Sequence, residues 1–312
     1  MVDSKNKWKA WLYLSPALIL LAIFTVYPII NTIRIAFTDG YDAVAAGIGV
    51  ETTFGFGNFE KVVEYKPFLT ALKNTMLLCV LTVPISTFLA LLISVILNSI
   101  GPLRRLLQTI YFLPYVTNSI AIGMVFATMF NIVGSFHGTE NQLIETAGIV
   151  NNFLGIFGIE PINWINNGST YAANMTVMVI YIVWNALPFK ILILLGGLQS
   201  VNKQYYDAAK VDGTPKWRVF TKITVPLLSP MIAYVVITGF IGGFKEYSSI
   251  VGVFGPAMGP GNYELQTMVG FIYRALETEN VGRASAAAII LFAIILAVTL
   301  INLQVSKKRV HY

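Results

Sequence analysis

The sequence predicts an all-α membrane protein with six transmembrane helices, and three observations predict it. Only 12% of the 312 residues are charged, while 56% are hydrophobic and the mean hydropathy is +0.70. A soluble domain typically carries about 25% charged residues, so this chain lacks the polar surface to coat a water-soluble globule. The apolar residues also come in long blocks. A helix rises about 1.5 Å per residue, so about 20 apolar residues cross a hydrocarbon core of roughly 30 Å. Third, the lysines and arginines between the blocks fall unevenly on alternate sides, the bias that orients membrane helices.

The blocks place spans near 11–36, 70–98, 106–132, 172–198, 230–254 and 284–306, within one domain covering 1–312. Lys5, Lys7 and Lys9 before the first block imitate a secretion signal. The run from Trp11 to Ala36 is too long for a signal core and has no A-x-A cleavage pattern, so a retained span is expected. Three long polar segments, 38–69, 133–171 and 255–283, share one side; the turn 99–105 and the segment 199–229 share the other. The second side carries Lys5, Lys7, Lys9, Arg104, Arg105, Lys203, Lys210, Lys216, Arg218, Lys222, Lys307, Lys308 and Arg309. The first carries Arg34, Lys61, Lys66, Lys73, Arg274 and Arg283. The richer side is expected to be cytoplasmic, with both termini on it. In 151–168, Phe153, Phe157 and Trp164 alternate with turn residues, as in a lip lying on the bilayer surface.

Several function classes drop out. The net charge of +6 and pI near 9.2 would suggest nucleic acid in a soluble protein; here they express the positive-inside bias. Cys79 is the single cysteine, so no disulfide framework exists. The chain has no G-x-x-x-x-G-K-[ST] loop, no H-E-x-x-H and no Cys/His cluster, and His137 and His311 stand alone. No catalytic residue, metal or cofactor is expected.

The most informative stretch lies in 199–229. Residues 203–211 suit a short helix, and Asp212-Gly213 is a turn signal in which glycine is free to take positive φ. Thr214 is a candidate N-cap with Pro215 at the first helical position. Trp217 and Phe220, three apart, share a face of the second helix. Pro226 and Pro230 then break it before the next span. The product is a pad, apolar on one side and basic on the other. It either rests on lipid headgroups or plugs into a cleft of a cytoplasmic partner.

This stretch resembles the EAA loop of binding-protein-dependent ABC importers: E-A-A, three residues, G, nine residues, I-x-L-P. Here stand Asp207-Ala208-Ala209, Gly213 and Ile223-x-Val225-Pro226, with Asp for Glu and Val for Leu. Other segments are similar to maltose- and glycerol-phosphate-type permeases. They are Leu12-Tyr13-Leu14-Ser15-Pro16-Ala17-Leu18 with Tyr27-Pro28, Trp184-x-x-x-Pro188-Phe189, Gly197-Leu198-Gln199 and Gly282-x-Ala284-Ser285-Ala286. The first span is similar to that of the first permease of the pair. The resemblance implies a type I importer permease fold whose coupling helix docks on an ATPase subunit. It assigns that docking to Tyr206, Asp207, Ala208, Ala209, Asp212 and Gly213.

Lys190, Lys245 and Glu246 fall within expected spans, where a charge costs about 2.5–3.5 kcal/mol on insertion scales. The lysines either snorkel, pair with Glu246 or line a pore, and Glu246 faces a pore or an interhelical partner. Gly239, Gly242 and Gly243 permit close helix contact or open space beside Phe244, Glu246 and Tyr247. Sugars bind to aromatic faces and to polar groups, and Asn185, Phe189, Glu246 and Tyr247 supply both. The resemblance places the substrate path at Asn185, Ala186, Phe189, Gly239, Gly242, Gly243 and Glu246.

The expected function is a non-catalytic permease subunit lining half of a pore for a sugar or oligosaccharide. Its implied partners are a second permease, two cytoplasmic ATP-binding subunits, an extracytoplasmic sugar-binding protein and membrane lipid, with no nucleic acid. Its expected location is the bacterial plasma membrane. The competing reading is an ion-coupled secondary transporter using Lys190, Lys245 and Glu246 as a relay.

Overall fold

The computed structural model describes residues 7–41, 52–100, 106, 109–110, 113, 115–136, 143–261 and 263–309. Lys5, Arg104, Arg105, His137 and His311 lie outside the described residues, as does nearly all of the turn 99–105. The chain divides into two compact units, Met1–Leu69 with Phe271–Phe292, and Thr70–Gly270 with Ala293–Tyr312.

In the first unit, α1 (Lys7–Leu21) continues through a π-helical turn at Ala22–Val26 into α2 (Tyr27–Ala36). Its apolar stretch has 0% of its residues buried, so these side chains face an apolar solvent or another chain. The carbonyls at the end of α2 are satisfied from a distance. Asn58 Nδ2 donates to Ile35 O, Ala36 O and Thr38 O, so the side chain closes a helix end that would otherwise leave acceptors orphaned. Asp39 does the complementary work at the start of α3 (Gly57–Val63). Its carboxylate accepts from Gly57 N and Asn58 N at 3.1 Å each, anionic charge on a helix N-terminus. A two-stranded antiparallel ribbon, β1 (Thr38–Asp39) with β2 (Thr53–Phe54), joins these elements.

Among its described residues the second unit is helical with one further ribbon. Its long helices are α4 (Lys66–Ser99) and α7 (Tyr171–Ser200). α4 carries Pro84 internally, and the hydroxyls of Thr75, Thr82, Thr87 and Ser94 donate to carbonyls four residues back, which removes their cost in an apolar helix. Between them stands α5 (Ser119–Phe130), then the antiparallel ribbon β3 (Ile132–Phe136) with β4 (Leu143–Ala147), then α6 (Ile149–Gly155). One cluster packs Tyr181, Met178 and Phe130 with Ile250 and Leu265; a second packs Leu194 and Leu195 with Leu97, Leu228 and Val235. α5 crosses α12 (Ser248–Phe254) at Gly123 and Gly252 so closely that a Cβ on Gly123 would lie 2.7 Å from Gly252 Cα. Small residues permit this backbone approach where helices pack inside a membrane.

Among the described residues, four helices are long and apolar enough to cross a membrane: Trp8–Ala36, Lys66–Ser99, Tyr171–Ser200 and Val281–Lys307. Lys216–Leu227 and Ser229–Phe244, bent by 68°, qualify together as a fifth. Two expected spans are not single helices. In 106–132 a new helix starts at Ser119, because Asn118 turns its side chain onto Ile120 N and caps it. In 230–254, α11 (Ser229–Phe244) ends at Lys245, and α12 starts after Tyr247, whose φ of −151° and ψ of −52° leave the helical region. The surface-lip reading of Trp164 also changes. Its indole Nε1 donates to Asn151 Oδ1 at 2.8 Å and its ring meets Phe130 edge-on, so it is a structural bolt, while Phe153 and Phe157 do stand exposed.

Candidate functional site

The interruption between α11 and α12 builds one wall of a cavity of about 250 Å³ in the second unit. Asn185, Ala186, Phe189 and Lys190 of α7 line it, as do Gly239, Gly242 and Gly243 of α11 and Glu246 beyond it. Seven of the eight residues expected on the substrate path therefore meet at one place. Tyr247, the eighth, packs against the Tyr181 cluster instead.

Glu246 is held by the helix it precedes. Its Oε1 accepts from Tyr247 N and Ser249 N, both at 3.1 Å, so the carboxylate satisfies the first amides of α12. Its own carbonyl accepts from Thr267 Oγ1 at 2.8 Å. Lys190, 4% exposed, spends its three donors on α4: Ser86 Oγ at 2.7 Å, Thr87 Oγ1 at 2.9 Å and Val83 O at 3.2 Å. Among the described residues no ion pair joins Lys190 to Glu246. Lys245, the third charge, is exposed, which suits a lysine that snorkels.

The three glycines separate into two kinds. A Cβ on Gly239 would lie 3.2 Å from Lys190 Nζ, and one on Gly243 would lie 2.9 Å from Cys79 Sγ; these serve close packing. A Cβ on Gly242 would meet nothing within 4 Å, so Gly242 opens onto the cavity. The remaining lining is Val83 and Ile182 together with Thr82, Ser86, Tyr115 and Thr238, polar and aromatic positions that sequence reasoning missed. Tyr115 stacks on Phe189, with ring centroids 5.7 Å apart and 18° between planes. The hydroxyl-rich run Thr82-Val83-Pro84-Ile85-Ser86-Thr87 was the available signal. Together the walls offer hydroxyl, amide and carboxylate groups beside an aromatic face.

The segment after α7 forms two short helices. α8 (Lys203–Val211) matches the sequence expectation residue for residue, with Asn202 as N-cap. Gly213 takes φ of +62°, Gly213 N donates to Lys210 O and Thr214 N to Ala209 O, a Schellman turn that only an unhindered residue enters easily. The next helix starts one residue later than expected. α9 (Lys216–Val219) has Pro215 rather than Thr214 as N-cap and carries no side-chain cap bond. Of the expected coupling residues, Asp207, Ala208, Asp212 and Gly213 are exposed, Tyr206 is half-buried with its hydroxyl 3.4 Å from Thr224 Oγ1, and Ala209 is buried. Tyr205, Val211 and Trp217 stand exposed beside them. Among the described residues no group of His, Cys, Asp and Glu could hold a metal ion.

Residues 82–311, which contain both the cavity and this two-helix segment, match the profile of the binding-protein-dependent transport system inner membrane components. The chain belongs to that family. The permease is 30% identical to the lactose transport system permease protein LacF of Rhizobium radiobacter, over 94% of this chain and 91% of that protein. It is also 30% identical to the arabinooligosaccharides transport system permease protein AraP of Bacillus subtilis, over 96% of this chain and 89% of that protein. Among solved structures it matches a chain of a bacterial alginate ABC transporter in complex with an alginate pentasaccharide-bound periplasmic protein. The TM-score is 0.79 at 23% identity, covering 98% of this chain and 96% of that one. The permease thus has the fold of an ABC importer permease and is a multi-pass membrane protein.

Proposed function

We propose that the permease forms half of the translocation path for a sugar or oligosaccharide in an ATP-driven importer, without chemistry on the sugar. The observation that carries this reading is the cavity, where Asn185, Glu246 and hydroxyls stand beside the Tyr115–Phe189 stack. Polar groups take sugar hydroxyls, and aromatic faces take C–H surfaces. The printed names of its relatives, lactose and arabinooligosaccharide permeases, favour the same class. At about 250 Å³ the cavity falls below the roughly 300–1,000 Å³ of pockets that enclose a ligand, in keeping with a path completed by a second permease.

The remaining partners in this reading are two cytoplasmic ATP-binding subunits at the 203–219 segment, an extracytoplasmic binding protein and lipid. Exposed Tyr205, Val211 and Trp217 on short basic helices support a docked protein there, because exposed apolar side chains gain from being covered by a partner. The six-span topology in a bacterial plasma membrane, with cytoplasmic termini and one permease domain, belongs to the same reading. The relay alternative is disfavoured because Lys190 and Glu246 spend their hydrogen bonds on neutral partners rather than on each other.

Two outcomes are expected. Glu160→Cys and Lys216→Cys, both at exposed positions and in a Cys79→Ser background, should label from opposite membrane faces with an impermeant thiol reagent; labelling from one face for both would refute the topology. Asn151 would be a poor reporter, being 2% exposed. Gly242→Leu should assemble normally yet slow uptake by about tenfold, or ~1.4 kcal/mol on the transport barrier. Normal uptake by the assembled Gly242→Leu complex would exclude this cavity from the path.

A further inference from the structure

A second cavity, of about 280 Å³, lies in the first unit and has no role in the reading above. It is formed where α13 (Met268–Glu277) ends and α14 (Val281–Arg309) begins, with Tyr65 on the facing segment. Its lining is Arg274, Arg283, Thr278 and Asn280 with Tyr65, Phe271 and Ala275, and it contains no acidic side chain. The guanidinium carbon of Arg283 lies 4.6 Å from the centroid of the Tyr65 ring, and Tyr65 leans on Phe271. A guanidinium over an aromatic ring keeps its in-plane N–H groups for hydrogen bonds. Arg283 Nε is buried and has no hydrogen-bond partner among the described residues. A buried unsatisfied donor of a cation is costly and calls for an acceptor. Thr278 and Asn280 are exposed, so the recess opens outward at the loop between the helices.

We propose that this recess receives a carboxylate, an acidic side chain of the soluble binding protein held at the edge of Arg283 beside Arg274. This rests on the preceding reading, which puts residues 255–283 on the face away from the cytoplasm and makes delivery depend on a docked protein. A guanidinium fixed by an aromatic plate presents parallel N–H groups that match a carboxylate in two-point fashion. The recess then sets the register of docking, while the central cavity selects the sugar.

The test uses the complete complex in proteoliposomes, with uptake measured against the concentration of loaded binding protein. Arg283→Gln keeps most of the volume and removes the charge. It should raise the half-saturating concentration about tenfold, the loss of ~1.4 kcal/mol of docking energy, with the maximal rate and assembly unchanged. Arg274→Gln should shift it in the same direction. Raising ionic strength should shift the wild type and barely move Arg283→Gln. An unchanged half-saturating concentration in assembled Arg283→Gln, or a wild type insensitive to ionic strength, would overturn the inference. So would a shift reproduced by exchanging anionic for zwitterionic lipid, which would assign the recess to a headgroup phosphate. Wild-type uptake that ignores the binding protein would instead overturn the reading beneath it.

Discussion

Gly213→Val is expected to cut coupled uptake by about tenfold or more while leaving the subunit inserted. Gly213 sits at φ of +62° in the turn that ends α8, and a Cβ there would meet nothing within 4 Å. The defect is therefore conformational and not steric. An L-residue in the left-handed region costs roughly 1–2 kcal/mol, and a β-branched one costs more. That is too small to unfold a multi-span protein but large enough to reopen a local turn held by the Lys210 and Ala209 carbonyls. The direction of α9, with Trp217 exposed on it, would change with the turn. Uptake should fall by about tenfold or more, with the ATPase subunits bound weakly or hydrolysing without transport. Gly213→Asn should be nearly normal and Gly213→Ala intermediate, because asparagine tolerates this region better. Normal uptake and normal ATPase association in Gly213→Val would remove the coupling role from this turn.

Glu246→Leu is expected to be more damaging than Glu246→Gln, in stability as well as transport. The carboxylate accepts two backbone amides at the start of α12, and Ser249 there is 2% exposed. Hydrogen bonds to charged groups are each worth about 1.5–3 kcal/mol net, so losing two to leucine should cost about 3–6 kcal/mol and orphan buried donors. Glutamine keeps an acceptor oxygen, and neutral bonds are about half as strong as charge-assisted ones, so roughly half the loss is expected. The purified complex should melt at progressively lower temperature from wild type to Gln to Leu. A Leu variant with unchanged melting and unchanged uptake would show that this cap supports neither the helix nor the path.

These two positions also show where the sequence was legible. The Gly213 turn and α8 could be read directly, because Asp-Gly punctuation and capping act within a few residues. The breaks at Asn118 and at Lys245–Tyr247 could not, since hydropathy averages over a window and passes across a three-residue interruption. Glu246 looked like a pore carboxylate or a partner for a lysine. Its helix-capping geometry depends on the unwound backbone at Tyr247, which no periodicity signals. Lys190 was flagged by its cost in the membrane, but its partners Ser86 and Thr87 lie about a hundred residues earlier and become neighbours only through helix packing. The ribbon of β3 and β4 fell within a segment read only as polar and external.

In the proposed function, transport through this permease is driven by ATP on one face and fed by a binding protein on the other. The most direct measurement is radiolabelled sugar uptake into proteoliposomes holding the complete complex, with ATP, an ion gradient and the binding protein each supplied or withheld. Uptake should require enclosed ATP together with external loaded binding protein, and should persist when proton and sodium gradients are collapsed. Uptake by this chain alone on an ion gradient, without ATP, would contradict the account.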